Sequence, residues 1–347
     1  MRPLRAEFAA FSLGLRTPLT SSRGELTHRR GFLLRLFSED GFAGLGEASP
    51  ASWVDGESLE ETERSLRELV RRMDRREGIS PAARCALDMA SVDLDARRAG
   101  VEACRLLGGA PRPVSLAALL GERTERALAR EVVQALGAGF GCFKLKVGSD
   151  LEGDLTRLSW VRRESGGRAT IRLDANRAWS FDEARRALEA FAAFSPEYVE
   201  EPLRSSEPAE LARLRAETGA WLAVDESLQG AADLERFAAA RAIDVAVLKL
   251  ARLGGPRPAL ALARRAGELG LRVVLTDSID TAVGRAAAIH LASALAPPIG
   301  FVGLAGSRLL AADVTGDVSR GAMIEPTGPG LGVSLDPAFE SELRWHA

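Results

Sequence analysis

A chain of 347 residues is long for a single hydrophobic core, so one large domain with a smaller companion is expected. Its 46 Lys plus Arg against 48 Asp plus Glu give a formal net charge of −2, which excludes a general electrostatic attraction to nucleic acid or an anionic membrane. Hydrophobic residues at 46%, three scattered cysteines and the lack of any membrane-length apolar run or signal-peptide core lead us to expect a globular cytoplasmic protein with reduced thiols.

The first stretches, AEFAAFSLGLRTPL (6–19) and GFLLRLFSEDGFAGLGEASP (31–50), alternate and are broken by Gly and Pro. They predict an antiparallel sheet with hairpins. SLEETERSLRELVRRM (58–73) and PAARCALDMASVDLDARRAG (81–100) then read as helices, which makes residues 1–110 an α+β module.

From Val114 onward short apolar runs alternate with amphipathic helical stretches. The predicted strands are 114–120, 142–147, 170–175, 197–201, 221–226, 244–250, 272–278 and 299–304. Helices such as 126–139, 181–194, 208–219 and 256–270 lie between them, several starting near Ser, Asp or Pro and several ending at Gly. Eight βα units over residues 111–312 suit a closed (β/α)₈-type barrel, with an open doubly wound sheet as the other solution of the same pattern. After Asp313 the chain turns Gly- and Pro-rich, and 313–347 is expected to leave the barrel and pack back on the first module.

Charge appears where the apolar runs finish. Lys146 closes the second strand, Asp174 the third, Glu200 the fourth, Asp225 the fifth and Lys249 the sixth, in steps of 28, 26, 25 and 24 residues. Each step is one βα unit, so in a barrel all five meet at the carboxyl-terminal mouth, where barrel active sites sit. Three carboxylates in a partly desolvated mouth repel unless a cation joins them, and such a hard oxygen set suits Mg²⁺. Lys144 and Lys146 share one strand face because side chains alternate.

The stretches K-L-K (144–146), L-D-A-N (173–176), V-E-E-P (199–202), V-D-E-S (224–227) and L-K-L (248–250) resemble the muconate-lactonizing-enzyme subgroup of the enolase superfamily. GFAGLGEASP and ARCALDMASVDLDARRAG (83–100) extend the resemblance over most of the chain. It implies an α/β fold, a modified TIM barrel (β/α)₇β under an α+β capping domain that the C-terminal segment completes. It also implies one essential Mg²⁺, with Mn²⁺ as a substitute, held by Asp174, Glu200 and Asp225. In the Glu200–Glu201 pair, Glu200 takes the ligand position. Lys146 matches the acid/base lysine, Lys144 its companion and Lys249 the lysine opposite. Asn176 and Glu226 would support the ligands. Arg172 alternates onto the face of Asp174 and would pair with a nearby carboxylate, with an ordinary ion pair as the simpler role.

TDSIDTAVGRAAAIHLASAL (276–295), VGLAGSRLLAADVTGD (302–317) and LRTPLTSSRGELTHRRGFLLRL (15–36) look most like the o-succinylbenzoate synthases of that subgroup. The implied reaction is dehydration of 2-succinyl-6-hydroxy-2,4-cyclohexadiene-1-carboxylate through an enediolate, in menaquinone biosynthesis. N-succinylamino acid racemisation is the alternative, since it uses the same two lysines, and a non-catalytic carboxylate-binding barrel is the third reading. The partner expected is a small carboxylate, and nothing in the sequence selects monomer or homo-oligomer. Thr276, Ser278, Thr281 and Gly303 follow the last strands and are candidate substrate contacts, as are Thr17, Ser21, Ser22 and Trp53 in the capping loops. GLGE and GPGLG are too short to form a nucleotide site.

Overall fold

The computed structural model describes residues 5–21, 24–52, 56–73, 78–316 and 321–347. Strands β1 (Arg5–Ser21), β2 (Gly24–Phe37) and β3 (Ala43–Ala48) form an antiparallel sheet in that order. Helices α1 (Leu59–Arg71), α2 (Pro81–Ala99) and the short α3 (Ala103–Leu106) follow. Alternation puts Phe32, Leu34 and Leu36 of β2 on one face, against Leu66 and Leu69 of α1 and Ala83, Ala86 and Ala90 of α2. Ser58 and Glu61 close a reciprocal cap at the start of α1. The glycines of GLGE allow close packing. A Cβ at Gly44 would fall 2.1 Å from the Ala90 carbonyl oxygen, and one at Gly46 2.0 Å from that of Ala86.

Next come β4 (Val114–Ser115), β5 (Ala118–Leu120), α4 (Glu125–Gly137), β6 (Cys142–Lys146), α5 (Leu151–Glu164), β7 (Thr170–Asp174) and α6 (Phe181–Phe191). The alternation continues through β8 (Tyr198–Glu200), α7 (Pro208–Thr218), β9 (Leu222–Val224), α8 (Ala231–Ala239), β10 (Val245–Leu248), α9 (Leu250–Leu253), α10 (Pro256–Glu268), β11 (Arg272–Leu275) and α11 (Ala282–Ala294). Strands β5 to β11 form one parallel sheet in sequential order. Its two edges are joined by residues 302 and 303 through parallel bridges from Val302 to Leu116 and from Gly303 to Thr276. The predicted eighth strand over 299–304 therefore shrinks to two bridging residues, in a stretch where Pro297 and Pro298 lack amide donors. The result is the curled α/β sheet expected of a (β/α)₇β barrel rather than an open doubly wound one.

Near the C terminus, β12 (Met323–Ile324) pairs with β4, and α12 (Pro337–Glu342) follows. Phe8 and His346 exchange backbone hydrogen bonds of 2.9 and 2.8 Å. Buried Asp93 of α2 accepts the amides of Leu45 at 2.8 Å and Leu331 at 2.7 Å, which joins β3, α2 and the last stretch of chain. Among the described residues no helix is long and apolar enough to cross a membrane.

Candidate active site

The register of the parallel strands aligns the charges. Lys146 stands beside Asp174, and Asp174 beside Glu200. Asp225 and Lys249 lie one residue past the ends of β9 and β10. All five line one cavity of about 190 Å³ at the carboxyl-terminal mouth, together with Lys144, Arg172 and Asn176. The backbone turns sharply just beyond these ends, with positive φ at Asn176, Arg177, Glu201 and Ile279.

Lys144 reaches up from one layer below. Its Nζ donates to Glu200 Oε1 at 2.9 Å and Oε2 at 2.8 Å, and pairs with Asp174 Oδ2 at 2.9 Å. Burial works against its charge, but Asp174 and Glu200 outweigh it and raise the group well above an ordinary lysine. Burial pushes the Glu200 carboxyl well up in spite of Lys144. Lys146 is exposed at the rim and donates to Asn176 Oδ1 at 2.9 Å.

On the opposite side, Lys249 Nζ donates to Asp225 Oδ2 at 2.6 Å, and Arg252 donates to Asp225 Oδ1 at 2.8 Å. Burial alone would raise Asp225, yet Lys249, Arg252 and Lys144 outweigh it and hold the carboxyl well below its usual range. Burial likewise opposes the charge on Lys249, and Asp225 restores it, so the amine lies above its ordinary value.

The Glu200–Glu201 pair divides its work by strand alternation. Glu200 faces the cavity, while Glu201 Oε1 accepts the amides of Asp225 at 2.8 Å and Ser227 at 2.7 Å. Its Oε2 accepts the Ser227 hydroxyl at 2.7 Å. Glu201 thus fixes the turn that carries Asp225.

Oxygens of Glu200, Asp225 and Glu226 lie within 4.8 Å of one another. Glu226 Oε2 is buried without a partner, and burial with Asp225, Glu201 and Asp174 nearby lifts its carboxyl to about 7. A buried, oxygen-only donor set with an orphaned acceptor fits a hard divalent cation. Asp174 is turned to Lys144 and to the Asn176 amide at 3.1 Å, so the set that converges by distance contains Glu226 and not Asp174. Asn176 Nδ2 reaches Glu226 Oε1 at 3.3 Å, which links Lys146 to the acidic cluster.

Other sequence-predicted positions sort differently. Thr276, Ser278 and Gly303 line the cavity, and the Ser278 hydroxyl is buried without a partner. Thr281 does not line it. Its side chain caps α11 and donates to Glu47 of β3, so its expected substrate contact is corrected. Arg172 does not bond the rim carboxylates as the sequence suggested. Its Nε donates to Glu197 at 2.6 Å and its Nη1 to the Phe301 carbonyl at 2.8 Å, below the rim. Thr17 is exposed on β1 and is not among the cavity residues. Ser22, Trp53 and the side chain of Ser21 fall outside the described residues. Asp277, Ile279 and Tyr198 line the cavity although the sequence did not single them out. Burial lifts the Asp277 carboxyl to about 6.

The family model for enolase C-terminal domain-like proteins matches residues 127–339. The chain belongs to this family. Its relatives lie in the muconate-lactonizing subgroup of the enolase superfamily. An o-succinylbenzoate synthase of Thermobifida fusca is 40% identical over 200 residues, 56% of this chain and 61% of that protein. A chloromuconate cycloisomerase of Cupriavidus pinatubonensis is 29% identical over 91% of both chains. The crystal structure of a dipeptide epimerase from Enterococcus faecalis V583, complexed with Mg and the dipeptide L-Leu-L-Tyr, superposes with a TM-score of 0.89 at 28% identity. That match covers 96% of this chain and 100% of the epimerase. Enolase-family membership therefore identifies an enzyme with a metal-suited acidic mouth, while the relatives include a lyase, a cycloisomerase and an epimerase.

Proposed function

We propose that this enolase-family enzyme is an o-succinylbenzoate synthase, which dehydrates 2-succinyl-6-hydroxy-2,4-cyclohexadiene-1-carboxylate in cytoplasmic menaquinone biosynthesis. The observation that carries the reading is the pair of amines, Lys146 and Lys249, lining one cavity that also presents Asp174, Glu200 and Asp225. The identity to the Thermobifida fusca synthase supports the choice of substrate. So does the run FVGLAGSR (301–308), which lacks the acidic pair that a substrate ammonium needs at this strand. On the same reading, residues 1–110 cap a barrel over 111–312, and 313–347 completes the cap.

A proton α to a carboxylate is weakly acidic, because its removal puts a second negative charge on the same group. Asp174, Glu200 and Asp225, with Glu226 beside them, would hold Mg²⁺ or Mn²⁺. When bound, this ion supplies the positive charge that spreads the new negative charge. Lys146, as the free amine, takes the α proton, and the electron pair moves into the enediolate. Lys249, held as ammonium by Asp225, stabilises that charge from the other side. Lys146 then returns its proton to the departing hydroxyl, so water leaves and the ring becomes aromatic. Asn176 orients the Lys146 amine for both transfers.

N-succinylamino acid racemisation is the second reading, because the two lysines could act as two bases. The structure of an N-succinyl Arg/Lys racemase from Bacillus cereus matches the whole chain with a TM-score of 0.90, a likeness of fold at 23% identity. Product analysis separates the two. The purified protein with Mg²⁺ is given the cyclohexadiene and, separately, single enantiomers of N-succinyl amino acids. Formation of o-succinylbenzoate is the expected result. Racemisation without dehydration rejects the synthase.

A further inference from the structure

Among the six described non-glycine residues with positive φ, Ile279 alone is β-branched, at φ +63°. Such a side chain is strained in the left-handed region and stays there only where its surroundings over-determine it. Glycine or asparagine would take the same turn at little cost.

The surroundings are specific. Asp277 Oδ1 accepts the Ile279 amide at 3.1 Å. The Ile279 carbonyl accepts Nε of Arg29 at 3.2 Å. Arg29 belongs to β2, is fully buried, and also donates to the carbonyls of Ser49 at 2.6 Å and Pro50 at 2.7 Å. The first sheet thus grips a turn of the barrel 250 residues away in sequence. Asp277 is itself seated against Gly306, where a Cβ would fall 2.2 Å from its Oδ1. With both backbone polar groups engaged, what Ile279 offers the cavity it lines is its aliphatic side chain.

We propose that Ile279 is a specificity-determining residue, an apolar wall that packs against the non-reacting carbon skeleton of the substrate. Arg29 and Asp277 are its positioning residues. The inference rests on the reading of the cavity as the site of a carboxylate-processing enzyme. It adds that the substrate presents carbocyclic or methylene surface to the turn after β11. A charged or strongly hydrated group at that place would leave the strain without return.

The test uses two variants. Ile279→Asn keeps a residue that tolerates the left-handed turn but replaces the hydrocarbon with an amide. Ile279→Gly removes both strain and side chain. Steady-state kinetics on the succinyl cyclohexadiene carboxylate should give a KM raised about tenfold in both, with kcat within about threefold of wild type. Thermal denaturation without substrate should show that Ile279→Gly melts no lower than wild type. A KM within about twofold in both variants overturns the specificity role. A melting temperature lowered by about 5 °C or more in Ile279→Gly overturns the strained-wall geometry, and that comparison needs no substrate. A wild-type chain inactive on the cyclohexadiene and on N-succinyl amino acids rejects the proposed function, and the melting comparison then judges Ile279 by itself.

Discussion

Lys144 holds both carboxylate oxygens of Glu200, at 2.9 and 2.8 Å, inside the barrel wall. It also touches Asp174 at 2.9 Å, so one ammonium stands between two of the acids at the rim. This lysine therefore does in the metal-free protein part of what a divalent ion would do there: it offsets the repulsion of buried carboxylates.

Removing that ammonium leaves Glu200, 1% exposed, beside Asp174 without its counter-charge. Lys144→Ala is expected to destabilise the metal-free protein by about 3 kcal/mol, as for one partner taken from a buried pair. Saturating Mg²⁺ should restore much of the loss. Urea denaturation with and without the ion measures both.

The acids at the mouth also predict how metal binding depends on pH. Burial raises Glu200 well above 4.5, and Glu226 to about 7, so the folded state holds these protons more tightly than the unfolded one. Their contribution to metal-free stability grows as pH falls from about 7 toward 4.5. Asp225 has the opposite sign. Its depressed carboxyl contributes stability above 3.8 that is lost as pH falls through its lower folded value. Mg²⁺ must displace the first two protons, so its affinity should climb with pH and level off above about 7. Calorimetric titration at about pH 5.5, 6.5 and 8 checks this, and a flat profile would contradict it.

Glu201 offers a test of how the turn is held. Its carboxylate takes two amides and one hydroxyl from the segment Asp225–Ser227, with distances of 2.8, 2.7 and 2.7 Å. Glu201→Ala orphans those donors in a buried place, which should cost about 2–4 kcal/mol and weaken Mg²⁺ binding by at least about tenfold. Glu201→Gln keeps acceptor capacity on one oxygen and should fall between the two. Equal metal affinity in all three proteins would reduce Glu201 to a packing role.

Lys249 separates the two chemical readings. If it only stabilises developing charge, Lys249→Ala should lower the dehydration rate by about 10²–10³-fold and leave KM nearly unchanged. If it is the second base of a racemase, the same variant should abolish racemisation from the enantiomer it deprotonates. Rates measured separately from each enantiomer show the asymmetry.

Much of this site was legible because local rules carry it. Strand alternation put Lys144 and Lys146 on one face, and the βα repeat brought Asp174, Glu200, Asp225 and Lys249 to one mouth. The strands are shorter than the apolar runs, since the chain must leave the sheet to turn toward the cavity. Asp225 and Lys249 accordingly sit just outside them. What sequence did not disclose depends on contacts distant along the chain. Thr281 is drawn away from the substrate side by Glu47, 234 residues earlier. Ile279 faces the cavity through a backbone conformation that its side chain disfavours. Arg172 lies on the anticipated face of its strand but finds Glu197 below the rim before any ligand carboxylate above it.

The central claim is that Lys146 moves the α proton beside a metal held by its neighbours. It is tested most directly by comparing wild type with Lys146→Ala, both loaded with Mg²⁺, for the rate of o-succinylbenzoate formation. Circular dichroism and Mg²⁺ titration on the same samples control for folding and metal loading. The account predicts a rate at least about 10³-fold lower in the variant, with fold and metal affinity unchanged. Wild-type turnover by Lys146→Ala would contradict it.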